Sequence, residues 1–199
     1  MATSQSAVLT QPIEKWELPS RGVVGMLCLI LAEAAIFLIF VVAYIYYEGK
    51  SLSGPTPAEV LKIPIFSTIC LLSSSITVHF AVAALRHNKI RSTSLWLAAT
   101  VALGTIFITF TGLEWHELIY KDGLTIQTNL FGTTYYSLVG LHATHVVVGL
   151  LMLGFALFFS LMGWLKEKHE NRLEVLSLYW HFVDAVWVVV FLVVYVLGR

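Results

Sequence analysis

Five long apolar runs dominate this sequence and restrict how the chain can fold. They cover residues 22–47, 64–86, 93–119, 131–164 and 175–197. Each run reaches the length of about 20 mostly apolar residues that an α-helix needs to cross a bilayer. The runs are too long and too unbroken for the strands of a membrane barrel, which have about 10 residues and alternate in polarity. The sequence therefore predicts an all-α fold, an integral membrane bundle of five transmembrane helices.

The composition agrees with a membrane protein that has no separate soluble domain. Of the 199 residues, 58% are hydrophobic and only 12% are charged, whereas soluble domains carry about 25% charged residues. Lys and Arg together equal Asp and Glu in number, so no basic field would attract nucleic acid. Cys28 and Cys70 each lie inside an apolar run, which favours buried thiols over a disulfide.

The chain divides into a polar N-terminal tail, residues 1–21, and a five-helix domain, residues 22–199. The tail contains Pro12, Pro19 and charges of both signs. It lacks the apolar core and small-residue cleavage site of a secretory signal, so we expect no cleaved signal. Trp16 is a candidate anchor that would hold the tail along the membrane surface.

The distribution of basic residues predicts the orientation in the membrane. The side that holds the N-terminus and the second and fourth loops carries Lys15, Arg21, Arg86, Lys89, Arg91, Lys166, Lys168 and Arg172. The other side carries Lys50, Lys62, Lys121 and Arg199. Basic residues concentrate in cytoplasmic loops. We therefore expect a cytoplasmic N-terminus and a C-terminus outside.

Glu33, in the middle of the first run, is the first polar residue that needs an explanation. A charged group in lipid is costly and usually has a partner or a task. Glu33 could be a proton-relay carboxylate or a partner for a lipid head group. The alternative is a protonated acid that bonds to a neighbouring helix, which the small residues Ala32, Ala34 and Ala35 would allow to approach closely.

The second and third runs carry further polar groups. Ser73, Ser74, Ser75, Thr77 and His79 lie in the second run, where hydroxyls typically hold membrane helices together. The third run ends with Glu114, His116 and Glu117. Two carboxylates and a histidine could bind a metal, but at the membrane boundary a structural or subunit-contact role is the stronger interpretation.

Two further pairs stand one helical turn apart, His142 with His145 and His181 with Asp184. The histidines could bind a metal if Glu114, His181 or Asp184 supplied a third ligand, or form a hydrogen-bonded pair inside the bundle. His181 and Asp184 could orient a cofactor ligand or a proton path, or bond to each other and lock the last helix.

Two other classes of function remain open at this point. A redox cytochrome would use His142, His145 and His181 as ligands, and an independent proton transporter would work through Glu33. No nucleophile–base arrangement, Gly-rich phosphate loop or Cys cluster occurs in the sequence, so we expect no active site within this chain.

Five motifs, taken in order, resemble the cytochrome c oxidase subunit 3 family, which is subunit III of the haem–copper oxidases. The resemblance covers residues 22–198. The motifs are a Gly-Met start and buried glutamate at 25–33, a hydroxyl-rich helix at 71–77, a Glu-aromatic-x-Glu turn at 114–117, a Gly and paired-His signature at 129–146, and the closing sequence YWHFVDAVW at 179–187.

The resemblance implies a non-catalytic accessory subunit. Such a subunit binds no haem or copper itself, packs directly against subunit I beside subunit II, holds structural phospholipid and supports proton uptake. The haem and copper lie in the partner subunits, which reduce oxygen to water and pump protons. Glu33 would be the family's buried carboxylate, and the histidine pair and His181 with Asp184 would be polar packing.

The resemblance also leaves alternatives. The same type of subunit serves quinol oxidases, and a related protein accompanies nitric oxide reductases. Many family members have seven helices, whereas this chain matches from the third helix onward. In some bacterial oxidases the catalytic subunit carries the first two. The five spans thus favour a bacterial plasma membrane.

Overall fold

The computed structural model describes residues 20–51 and 53–198, apart from the side chain of Glu167. Five of its helices are long and apolar enough to cross a membrane, which confirms the predicted all-α bundle. No strand occurs among the described residues. The predicted surface tail with Trp16 lies outside them.

The five spans alternate with short connections. They are α1 (Arg21–Tyr47), α3 (Ile65–Arg86), α4 (Ile90–Tyr120), α5 (Leu130–Leu161) and α6 (Glu170–Phe191), while α2 (Pro57–Val60) is a short helix in the first loop. α6 continues as a π-helical segment, Leu192–Leu197.

The bounds of the helices differ from those of the apolar runs at ends that are set by polar or glycine residues. α5 stops at Leu161 because Gly163, at φ 72°, reverses the chain. The amide of Gly163 donates to Ser160 O and that of Trp164 to Phe159 O, the bonding of a Schellman motif. α6 begins at Glu170, ahead of the apolar run, because its first turn is polar and forms helix outside the apolar segment.

The helix α2 was not predicted, although the sequence carries its signal. Pro57 occupies the first helical turn, where no backbone donor is needed. The Thr56 amide donates to Glu59 Oε2 at 3.0 Å, the reciprocal half of a capping box. Hydrogen bonds from the backbone and side chain of Thr56 hold the pKa of the Glu59 carboxyl below its usual value.

α6 lies centrally and packs against α1, α3 and α5, while α3 and α4 form an antiparallel hairpin. Trp180 of α6 is completely buried and its Nε1 donates to Ser74 Oγ at 2.8 Å. Its ring lies against Gly104 of α4 and Gly149 of α5, where an added Cβ would come within 2.9 and 2.7 Å of it. The two glycines therefore let α4 and α5 close around one indole.

The ends of the bundle are tied by polar contacts. On the side where α1 begins, called the N-side here, Arg86 pairs with Glu170 at 2.5 Å and with Glu174 at 3.2 Å. On the opposite side, called the C-side, Asn129 Nδ2 donates to the carbonyls of Ser53 and Pro55. These contacts fix the first loop against α5 and the end of α3 against α6.

Candidate functional site

Glu33 of α1 bonds to His145 of α5. Its Oε2 lies 3.1 Å from His145 Nε2, and both side chains are largely buried. His145 Nδ1 lies 2.8 Å from the carbonyl of Leu141, which can only accept, so Nδ1 carries a hydrogen. The Nε2 contact with Glu33 then shares one proton between the imidazole and the carboxyl. This bond connects two helices that are far apart in sequence.

His142 does not take part in that contact. It is fully buried, stacks on Trp187 at 4.9 Å between ring centroids and meets the edge of Phe107 at 5.9 Å. Neither ring nitrogen bonds to a described residue. The suggested hydrogen bond between His142 and His145 is therefore wrong. Side chains three positions apart diverge around the helix, so one imidazole faces α1 and the other enters the aromatic centre.

His181 and Asp184 meet through a third residue instead of bonding directly. Ser75 of α3 donates its hydroxyl to Asp184 Oδ2, and its Oγ lies 3.0 Å from His181 Nδ1. Asp184 is 4% exposed, and its Oδ1 has no partner among the described residues. The predicted direct bond between His181 and Asp184 is thus wrong, because α3 packs close enough to place Ser75 between them.

Glu114 and Glu117 point to different surroundings at the C-side. Tyr195 donates to Glu114 Oε1 at 3.0 Å, and Tyr135 Oη lies 3.3 Å from Tyr195 Oη. The π-helical segment carries Tyr195 into this contact, and no sequence signal identified it. The two glutamates therefore do not converge on one site.

Glu117 is part of an exposed charge cluster. It pairs with Lys62 at 3.2 Å and with Lys121 at 2.7 Å. Its hydrogen bond raises the pKa of the Lys121 ammonium above the usual value. His116 stays apart from both glutamates and lies against the Tyr120 ring, at 4.6 Å between centroids. Over the described ranges, no three His, Cys, Asp or Glu side chains converge as a metal site would require.

A mainly apolar cavity of about 390 Å³ opens at the N-side between the end of α5 and the start of α6. Its lining is Met152, Phe155, Ala156, Phe159, Trp164, Leu165, His169, Arg172, Leu173 and Leu176. Desolvation, followed by the charges of Lys168, Arg172 and Lys166, lowers the pKa of His169. Arg172 therefore places a positive charge at the rim of the cavity even when His169 is neutral.

A second cavity of about 300 Å³ lies beside Glu33 and His145 and shares Met152 with the first. Its lining is Met26, Leu29, Glu33, Thr144, His145, Val148, Met152 and Tyr179. The two cavities therefore follow one face of α5, from the charged rim to the Glu33–His145 contact.

Comparison with known proteins assigns this chain to one family. Residues 20–199 match the family model of cytochrome c oxidase subunit III. The cytochrome c oxidase subunit 3 of Synechocystis sp. is 37% identical, over 90% of this chain and 77% of the relative. That of Alkalihalophilus pseudofirmus is 33% identical, over 83% and 82%. The cytochrome bo(3) ubiquinol oxidase subunit 3 of Pseudomonas putida is 32% identical, over 88% and 86%.

Proposed function

Since this chain belongs to the cytochrome c oxidase subunit III family, we propose that it is the non-catalytic accessory subunit of a haem–copper terminal oxidase. In this proposal subunits I and II carry the haem and copper, reduce oxygen to water and pump protons. This chain binds neither group and packs directly against subunit I. It stabilises the catalytic subunit and supports proton uptake.

The main support for the proposal is the set of hydrogen bonds that the polar groups inside the spans make. Glu33 bonds to His145, Ser75 to both His181 and Asp184, and Tyr195 to Glu114. Each contact joins one helix to another. Polar side chains used in this way hold a membrane bundle together, as a packing subunit requires.

Phospholipid is the proposed partner of the groove along α5. An acyl chain fits the apolar lining of the two cavities, and an anionic head group would lie against the basic rim at Arg172. Basic clusters at a membrane surface attract anionic lipids, and Trp164 is suited to the head-group region. The groove therefore supports a structural phospholipid beside subunit III.

The family is a multi-pass membrane family, and we propose the plasma membrane of a bacterium as the location. The bacterial relatives support this choice. The basic residues at the N-side support a cytoplasmic N-terminus and a C-terminus outside.

A quinol oxidase is the second candidate complex. The relative from Pseudomonas putida carries that name at 32% identity, close to the identity of the cytochrome c oxidase relatives. A subunit II that contains copper and copurifies with this chain would establish cytochrome c as the electron donor. A subunit II without that copper would establish the quinol oxidase.

Purification of this chain in mild detergent tests the proposal. We expect a haem-bearing subunit of about twelve or more spans to copurify, with the haem absorption following that subunit after separation. A stoichiometric haem band on the separated chain would instead establish the redox cytochrome. Proton transport by the separated chain in vesicles, abolished by Glu33→Gln, would establish the transporter.

A further inference from the structure

The surface between α3 and α6 carries two imidazoles amid apolar side chains. His79 of α3 is exposed within a span, and His181 of α6 is half-buried. His79 lies one helical turn from Ser75, whose Oγ is 3.0 Å from His181 Nδ1, so both histidines belong to the same surface. The exposed residues around them are Leu72, Ile76, Ala185, Val188 and Val189. On a surface that contacted only lipid tails, the two imidazoles would find no hydrogen-bond partner there.

Both histidines lie at the depth of the hydrocarbon. The ion pairs of Arg86 with Glu170 and Glu174 mark the N-side end of α3 and α6. From that end, His79 lies about 10 Å and His181 about 16 Å along its helix. The hydrocarbon core of a bilayer is about 30 Å thick. Neither ring is therefore at the level of the head groups.

The hydrogen bonds at Ser75 leave one nitrogen of His181 unused. Ser75 gives its only hydroxyl hydrogen to Asp184 Oδ2, so His181 Nδ1 must donate in the 3.0 Å contact with Ser75 Oγ. A neutral imidazole has one N–H, so Nε2 is left as an acceptor. Among the described residues none donates to it, and none bonds to His79. Unpaired polar atoms in hydrocarbon are costly.

We propose that this surface, defined by Ser75, His79 and His181, is the docking site for a transmembrane helix of another oxidase subunit. The helix carries a hydrogen-bond donor opposite His181 Nε2. The inference rests on the proposed function, because it requires a complex. Side-chain hydrogen bonds and close packing drive the association of membrane helices, whereas an acyl chain offers no donor.

The outer face of α1 provides the contrast. Leu31, Leu38, Ile39 and Val42 are each more than half exposed on this face. They need no hydrogen-bond partner in lipid. The polar surface between α3 and α6 therefore needs a hydrogen-bond partner, whereas the face of α1 does not.

Photo-cross-linking within the assembled oxidase tests the site without altering its polar residues. A photoreactive phenylalanine replaces Ile76 or Ala185 on the proposed surface, or Leu151 on α5 as a background position. We expect cross-links from positions 76 and 185 to another oxidase subunit. If the chain copurifies with the oxidase but both positions give only lipid adducts or none, the docking site is disproved.

Replacement of His79 tests the docking site because docking to a helix and contact with lipid predict different changes in retention of the chain. Loss of an interhelical hydrogen bond should lower retention of the chain in detergent-washed oxidase about threefold in His79→Leu. His87→Leu, which replaces an exposed histidine just beyond the end of α3 and outside this surface, is the matched control. A surface that meets lipid predicts unchanged or higher retention, which would overturn the docking site. Failure of the unaltered chain to copurify with any haem-bearing subunit would instead refute the proposed function.

Discussion

Ser75 holds together two groups that a hydrocarbon interior would otherwise leave unpaired. It donates to Asp184 and accepts from His181, and so connects α3 to the middle of α6. Asp184 Oδ1 already lacks a partner among the described residues. Removal of the Ser75 hydroxyl would leave the other oxygen of this buried carboxyl unpaired as well.

Ser75→Ala should therefore destabilise the protein by about 1–3 kcal/mol, the cost of a buried polar group without its partner. Thermal unfolding of the purified complex in detergent measures the effect. Ser73→Ala is the matched control, because Ser73 lies on the same helix and its hydroxyl bonds to no described residue. Equal stability of the two variants would show that the Ser75 contacts contribute nothing.

At the scale of the helix, α5 depends on the absence of a side chain at Gly149. The Trp180 ring occupies the space that a Cβ would need, at a separation of 2.7 Å. Helix α5 can therefore approach α6 only while position 149 is glycine. Gly154, on the same helix, has no heavy atom within 4 Å of its Cβ position.

Gly149→Ala should lower the free energy of unfolding by about 1–3 kcal/mol, as overpacking in a filled core does. Gly154→Ala should be close to neutral. Comparison of the two melting temperatures, together with the yield of assembled complex, checks the prediction. A Gly149→Ala protein as stable as Gly154→Ala would mean that α5 and α6 pack differently.

The cavity between α5 and α6 gives a second prediction for these helices. Arg172→Gln should reduce retention of anionic phospholipid about fivefold, since one basic residue near a membrane surface contributes about 1 kcal/mol. Mass spectrometry of the lipids retained by the purified complex measures this change. Arg91→Gln, exposed on the same side but outside the cavity lining, should retain the lipid. Equal loss in both variants would point to a non-specific charge effect.

For the whole molecule, the basic residues predict one orientation across the bilayer. The exposed Asn171 lies at the N-side and the exposed Gln127 lies in the loop before α5, at the C-side. The native Cys28 and Cys70 both lie within spans. A cysteine introduced at either position thus reports the side of the membrane on which it lies.

A membrane-impermeant maleimide should label Gln127→Cys in cells with an opened outer envelope and an intact plasma membrane. It should label Asn171→Cys only after that membrane is permeabilised. The unaltered chain, which should remain unlabelled, controls for the native thiols. The reverse labelling pattern would contradict the predicted orientation.

The helix bounds show how far the apolar pattern extends. The pattern located all five spans because the length and polarity of a segment are local properties of the sequence. It placed the start of α6 too late, since the polar turns from Glu170 lie outside the apolar run. It also passed over α2, where Thr56, Pro57 and Glu59 carry a capping signal.

The five-span bundle, the family and the polar residues inside the spans all follow from the amino-acid sequence. Which of these polar residues meet depends on tertiary packing. Glu33 pairs with His145, Ser75 separates His181 from Asp184, and Tyr195 reaches Glu114. These pairings depend on how each helix is rotated about its axis, and distant packing contacts such as Gly149 against Trp180 set that rotation. The spacing of residues within one helix gives no information about this rotation.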